Sequence, residues 1–273
     1  MSNIHETAYI VNYYRSQDPE LSLDPYAHLW VTERSKKLAQ DFDEKVLHHE
    51  GPLTCLRSRY FILELQKFYK LHGGFTFINI GAGFTTYPFI LSEEVQCIEV
   101  DQPHVVSEKA DRLKAFQSNG LLPHREVEFI AADLNDLKDI ERLETLLLSK
   151  KNQKPFFVLV EGVIYYLQET SAKRMMSMIQ NVCPAKSRAG IISLMPEAIE
   201  SRGIQRVIEY FHDHFGFPKK NYTTFSYDTF KSLESFHLIH HTDLQQLEIK
   251  YCGTQHANLD NSFDEQFYLL EKV

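Results

Sequence analysis

From about residue 75 onward, short apolar runs alternate with polar segments that suit helices. The runs at 75–80, 95–100, 127–132, 156–160 and 189–194 are nearly continuous in hydrophobic residues, the pattern of strands buried on both faces. Between the last two, Ala172, Met175, Met176, Ile179 and Val182 recur at spacings of three and four, a helix stripe that packs on a sheet. Strand and helix in alternation predict an α/β fold with a doubly wound parallel sheet, whose ligand site lies outside the carboxyl ends of the strands.

The chain on either side departs from that rhythm. Residues 1–72 read as a helical N-terminal cap, with Leu56, Tyr60, Leu63 and Phe68 at helical spacing. After the fifth strand an insertion at about 197–235 offers Ile204, Val207, Ile208, Phe211 and Phe215 on one helix face, then Pro218-Lys219-Lys220 and an aromatic stretch from Tyr222 to Tyr227. The insertion reads either as a lid over the strand ends or as plain packing. Residues 267–271 predict a closing strand. No repeat, low-complexity tract or Gly/Ser linker interrupts the chain, so one unit over 1–273 is expected, with its ligand-binding core in 73–273.

Composition narrows the partners. The chain has 273 residues, is 43% hydrophobic and carries a net charge of −8, with a pI near 5.9. An acidic chain without a basic stripe is a poor partner for nucleic acid. No run reaches the roughly 18 apolar residues that span a bilayer, and the Met1 end lacks a basic segment followed by an apolar one, so a cytoplasmic protein with no membrane partner is expected. Cys55, Cys97, Cys183 and Cys252 show no paired spacing and read as buried free thiols. His48-His49, His212-Asp213-His214 and His240-His241 read as ordinary histidines; His212 and His214 do not easily share an ion, because i and i+2 on a helix point apart. No metal is expected.

The first run ends in Asn79-Ile-Gly81-Ala-Gly83-Phe-Thr85-Thr86. Two glycines there let the backbone turn tightly and approach a ligand. Asp101 closes the second run 20 residues after Gly81, where a carboxylate can accept hydrogen bonds from ribose hydroxyls. The third small residue of a dinucleotide fingerprint is replaced by Thr86, which argues against NAD or FAD, and no P-loop is present. S-adenosylmethionine, with a ribose and an adenine but no phosphate, suits this loop better. Asp133 follows the third strand and Glu161 the fourth. Three strand-end carboxylates form an ordered set for ribose (Asp101), adenine (Asp133) and the cationic methionine end (Glu161).

These segments resemble the leucine carboxyl methyltransferase family, which includes bacterial polyketide O-methyltransferases. Asp24-Pro25-Tyr26-Ala27 is similar to its D-P-x-x element, Leu56-Arg57-Ser58-Arg59-Tyr60 to its Arg-containing helix, and Asn79 to Thr86 to N-L-G-A-G-x-D-T. Glu99-Val-Asp101-Gln-Pro103 resembles E-V-D-x-P, Ala132-Asp133-Leu134-Asn135-Asp136 resembles A-D-L-x-D, and Glu161-Gly-Val-Ile-Tyr165-Tyr166-Leu167 resembles E-G-V-L-x-Y-L. Thr85 departs from the family's Asp. The resemblance implies a class I methyltransferase-type, Rossmann-like fold and S-adenosyl-L-methionine as cofactor. It implies Arg57 on the methionine carboxylate, Gly81 and Gly83 along the cofactor, Asp101 on ribose, Asp133 and Leu134 at adenine, and Glu161 near the ammonium. Arg15 is either a second clamp on the carboxylate or a surface arginine.

The expected chemistry is O-methylation of a carboxylate or hydroxyl on a small molecule or peptide. A carboxylate needs no base, whereas a hydroxyl does. No base is evident in the sequence, which favours a carboxylate, and Tyr165 and Tyr166 are the candidate catalytic groups. Two rivals are a non-catalytic S-adenosylmethionine-binding partner protein and an NAD-dependent oxidoreductase. The oligomeric state is not legible.

Overall fold

The computed structural model describes residues 6–151, 154–219, 222–258 and 260–273. The Met1 end and Lys220 lie outside them. Among the described residues seven strands form one sheet in the order β3-β2-β1-β4-β5-β7-β6. They are β1 (Thr76–Ile80), β2 (Gln96–Asp101), β3 (Glu128–Ala131), β4 (Phe156–Val160), β5 (Arg188–Leu194), β6 (Phe236–Asp243) and β7 (Glu265–Lys272). The first five run parallel. The expected wholly parallel sheet is corrected at one end: β7 is antiparallel to β5, and β6 to β7. β6 carries His237, His240 and His241 among its apolar residues and lies at the edge with one face open. That is why no continuous apolar run announced it.

Alternation across the pleat separates two cores. Ile78, Ile80, Val158 and Val160 face the side covered by Met175, Met178 and Ile179 of α8 (Glu169–Val182). Phe77, Phe157 and Leu159 face α4 (Glu50–His72), which presents Leu56, Tyr60, Phe61, Leu65 and Phe68. Each such side chain contributes roughly 1.5–3 kcal/mol by leaving water.

A third apolar cluster lies beyond the carboxyl ends of the strands. It joins Ile10 and Tyr14 of α1 (Thr7–Gln17) and Phe42 of α3 (Glu33–Lys45) to Val207, Phe211 and Phe215 of α9 (Arg202–Phe215). The Ser201 hydroxyl caps α9 by accepting from the Ile204 amide at 3.2 Å. Arg206 donates through Nε to the Val46 carbonyl at 2.9 Å. N-terminal helices and insertion therefore form one cover. Among the described residues no helix is long and apolar enough to cross a membrane. Cys55, Cys97 and Cys183 are buried free thiols, but Cys252, at the last turn of a peripheral helix, is exposed.

Candidate active site

β1 ends at Ile80 and the chain turns through Gly81 (φ 71°) and Gly83 (φ 47°). A Cβ on Gly81 would lie 2.2 Å from Val163 Cγ2. The loop needs glycine there for conformation and for space. At the end of β2, Asp101 holds the same loop: its two carboxylate oxygens accept from the Gly83 and Gln102 amides, each at 2.7 Å. Burial pushes the Asp101 carboxyl up, and these two amides oppose it.

The two threonines of the loop have separate roles. Thr85 Oγ1 donates to the Ala82 carbonyl and accepts from Asn79 Nδ2, both at 2.9 Å. It braces the turn from inside. Thr86 Oγ1 donates to Asp24 Oδ1, which also accepts from the Tyr26 amide at 3.1 Å. The residue that breaks the dinucleotide fingerprint thus ties the D-P element to the glycine loop.

Behind the loop lies a buried charge cluster drawn from distant parts of the sequence. Glu161, at the end of β4, receives Arg15 and Arg57 on Oε1, the latter at 2.9 Å, and the Tyr87 hydroxyl on Oε2 at 2.5 Å. Arg57 Nη1 also donates to Glu265, at 3.0 and 3.3 Å to its two oxygens. Tyr165 donates to Glu265 Oε1 at 3.0 Å. Burial would push Glu161 up, but Arg15 and then Arg57 outweigh it and hold the carboxyl below the usual carboxylate range. Glu265 is pushed up by burial against the pull of Arg57.

Arg15 is fully buried, so its surface reading is corrected. Its Nε and Nη1 have no hydrogen-bond partner among the described residues. Arg57, expected to meet a ligand carboxylate directly, has its Nε and Nη1 engaged by the two glutamates. Tyr165 is committed as a donor, and burial, then the neighbouring Glu265, raises its pKa. Burial followed by Tyr222 raises that of Tyr166. Neither phenol is set up to ionise near neutral pH.

At the other side of the loop, Asp133 Oδ1 accepts from the Asn135 amide at 2.9 Å, and the Asp133 amide donates to Asp139 at 2.8 Å. Asn135 Oδ1 accepts from the Gln168 amide at 2.8 Å, fixing this turn to the segment after β4. Leu134 is buried. A single cavity of about 710 Å³ brings all these groups together. Arg15, Arg57, Gly81, Gly83, Asp101, Asp133, Leu134, Glu161, Tyr165 and Tyr166 all line it.

Sequence reasoning offered Phe211 only as part of a helix over the strand ends, and missed Phe263, Glu50 and the carboxyl behind Arg57. Phe211, Phe217 and Phe263 line the cavity with Tyr166, as does Glu50; Glu265 stands behind Arg57. The stretch from Tyr222 to Tyr227 does not line it. Instead the Phe225 amide donates to Ser193 Oγ at 2.8 Å and Thr223 to the Leu167 carbonyl at 2.6 Å, so this stretch anchors the cover. Of the histidine pairs, His212 and His214 bond through Nδ1 to the Phe217 and Tyr210 carbonyls, at 3.0 and 3.1 Å, while His49 bonds to Glu248 and His240 to Tyr60, each at 3.0 Å.

The family model of leucine carboxyl methyltransferases matches residues 7–180, a stretch containing the Arg15, Arg57, glycine-loop, Asp101, Asp133 and Glu161 positions. The chain belongs to the leucine carboxyl methyltransferase family. It is an S-adenosylmethionine-dependent methyltransferase with the class I methyltransferase fold. A sequence comparison with curated proteins finds no significant match. Among solved structures, the chain is similar to a DUF574 family protein from Streptomyces avermitilis MA-4680, with TM-score 0.65 and 13% identity over 98% of this chain and 97% of the other. It is also similar to a methyltransferase candidate from Thermobifida fusca YX, with TM-score 0.62 and 13% identity over 89% of each chain. At these identities the likeness speaks for the fold. The family match adds the activity class.

The residues fit the cofactor on the structure's own terms. Arg15 keeps two buried donors without partners among the described residues, which suits an anionic carboxylate. Each Asp101 oxygen accepts one amide and retains a lone pair for a hydroxyl.

Proposed function

We propose that this member of the family is an O-methyltransferase acting on a carboxylate or hydroxyl of a small molecule or peptide. The observation that carries the proposal is the single cavity that joins a charged end, at Arg15 and Glu161, to an aromatic end, at Phe211, Phe217 and Phe263. Bound S-adenosylmethionine supplies a methyl group on a positively charged sulfur.

The chain's own residues divide the remaining work. Arg15 binds the methionine carboxylate, with Arg57 behind it fixing Glu161. Glu161 lines this end of the cavity, where its carboxylate can meet the methionine ammonium. Asp101 holds the ribose, and Asp133 with Leu134 the adenine. Phe211 and Phe217 shape the acceptor end and exclude water, which strengthens every electrostatic interaction inside. Tyr165 positions Glu265 through its hydrogen bond.

The test is a product screen on a metabolite extract with S-adenosylmethionine labelled in the methyl group. Label transferred to oxygen supports the proposal, and label found only on nitrogen, carbon or sulfur refutes it. Mild base then separates methyl esters, which release methanol, from ethers, which do not. Titration calorimetry with S-adenosylmethionine and with NAD supplies the control for cofactor choice.

A further inference from the structure

Glu50 opens α4 and is only 4% exposed, yet it lines the cavity at its aromatic end. Its Oε2 accepts one long hydrogen bond, 3.4 Å from the Phe263 amide. Its Oε1 has no hydrogen-bond partner among the described residues. Most buried carboxylates are paired, so an unpaired one facing a cavity calls for a chemical account.

The groups facing it come from four elements. Arg57 lies two helical turns further along α4, Glu265 on β7, Asp43 on α3 and Tyr14 on α1. Burial first, and Glu265 next, push the Glu50 carboxyl up to about 8, with Arg57 opposing. Burial and the neighbouring Glu265 thus favour the neutral acid in the free protein at pH 7.

Charge balance gives that poise a purpose. The positive charges of Arg15 and Arg57 are matched by Glu161 and Glu265. An ionised Glu50 leaves one negative charge in excess. S-adenosylmethionine brings one net positive charge, on sulfur, since its carboxylate and ammonium cancel. S-adenosylhomocysteine brings none. Cofactor charge therefore favours the Glu50 carboxylate, and loss of that charge after transfer favours the acid.

The acceptor end also discriminates between the two oxygen acceptors. The arginines of the cavity wall, Arg15 and Arg57, are both bound to carboxylates. A carboxylate acceptor would lie in an aromatic pocket beside Glu50 without a counter-ion of its own, which is costly. A hydroxyl acceptor carries no such cost but needs a base.

We propose that Glu50 is the catalytic base for methyl transfer to a hydroxyl. As the acceptor oxygen forms its bond to the methyl carbon, the carbon–sulfur bond breaks with its electron pair going to sulfur, and the hydroxyl proton passes to the Glu50 carboxylate. The proton stays on Glu50 as product departs and leaves to solvent when the next S-adenosylmethionine binds. This rests on the O-methyl-transfer reading above and narrows its acceptor.

Two measurements test it without any acceptor in hand. Calorimetry near pH 7.5, in buffers of different ionisation enthalpy, counts protons released on binding. S-adenosylmethionine should release more than S-adenosylhomocysteine with the wild type, and Glu50→Gln should abolish the difference. Equal release by both ligands, or a difference that persists in Glu50→Gln, overturns the assignment. Should that variant fail to fold, infrared difference spectra of the wild type serve: the carbonyl stretch of a protonated carboxylic acid should fade when S-adenosylmethionine binds, and its persistence overturns the proposal. With the acceptor from the product screen, Glu50→Gln should lower turnover by about 10²–10⁴-fold, and the wild-type rate should rise with pH to a plateau. A methyl ester product overturns the role of Glu50 while leaving O-methyl transfer intact. An N-methyl or S-methyl product overturns the O-methyl reading itself.

Discussion

Gly81→Ala is the substitution whose cost the structure specifies most closely. Two terms contribute. Gly81 sits at φ 71°, where a residue with a Cβ costs about 1–2 kcal/mol. The added Cβ would also stand 2.2 Å from Val163 Cγ2, and Val163 cannot withdraw freely, being 7% exposed and packed with Val160, Ile164 and Leu167. Forcing a carbon into such a site costs about 1–3 kcal/mol. The sum, about 2–5 kcal/mol, lowers the melting temperature by roughly 4–9 °C for a chain of 273 residues, at an unfolding entropy of about 2.1 cal/mol/K per residue. Urea unfolding of the free protein reads the loss directly. Val163→Ala removes Cγ2, so Gly81→Ala/Val163→Ala should be less destabilised than the two single losses added together, while the backbone share remains. Strictly additive losses would refute the steric argument. Unchanged stability in Gly81→Ala would refute both.

Arg57→Ala strips the pairing from Glu161 and Glu265 within a buried cluster, so it should lose about 3–5 kcal/mol of stability as well as cofactor affinity; chemical denaturation and calorimetry check the two. Asp101→Ala should weaken S-adenosylmethionine and S-adenosylhomocysteine alike, by about 1.5–3 kcal/mol, because the two share the ribose that calorimetry would report. Glu161, held below its ordinary value of 4.5, contributes stability that is present above that pH and is lost as pH falls through its lower folded value; Glu161→Gln should flatten the acid limb of the melting profile. Glu50 works in the opposite sense: held up to about 8 from 4.5, it favours the folded state fully below pH 4.5, and that contribution declines by about 1.4 kcal/mol per pH unit up to pH 8, so Glu50→Gln should gain in melting temperature over the wild type as pH is raised from 5 to 8.

Much of the sheet was legible because its central strands are buried on both faces. Residues 156–160 match β4 as predicted, and β1, β2, β3 and β5 begin or end within one residue of expectation. β6 was not legible, since an edge strand with histidines on its open face has neither a continuous run nor strict alternation. In the site, the glycines and strand-end acids announce themselves by position within the repeating pattern. Glu50 and Glu265 do not. A glutamate in the first turn of a helix is ordinarily a solvated partner of the helix dipole, and one at a strand start is ordinarily a turn residue. Only tertiary packing shows that Phe263 covers the first and that Arg57 reaches the second. Tyr87 stands one residue past the glycine motif, yet nothing local reveals that its hydroxyl meets a carboxylate 74 residues away.

The charge cluster also explains why the N-terminal helices belong functionally to the sheet. Arg15 comes from α1, Arg57 from α4, Glu161 from the end of β4 and Glu265 from β7, so four separated segments must be in place before all of these ions are paired. A cofactor whose carboxylate meets Arg15 adds a contact on the cap, and one whose ribose meets Asp101 adds a contact on the sheet. Binding to both selects the closed arrangement over any in which α1 has lifted away, and a ligand at a hundred times its dissociation constant stabilises that arrangement by about 2.7 kcal/mol. The Thr86–Asp24 hydrogen bond, which links the glycine loop to the D-P element, transmits the same preference from the loop to the cap. Amide exchange in residues 7–30 should therefore slow on cofactor binding more than exchange in β3, at the far edge of the sheet. Equal protection of both would show that the cap does not respond to the site it helps to build.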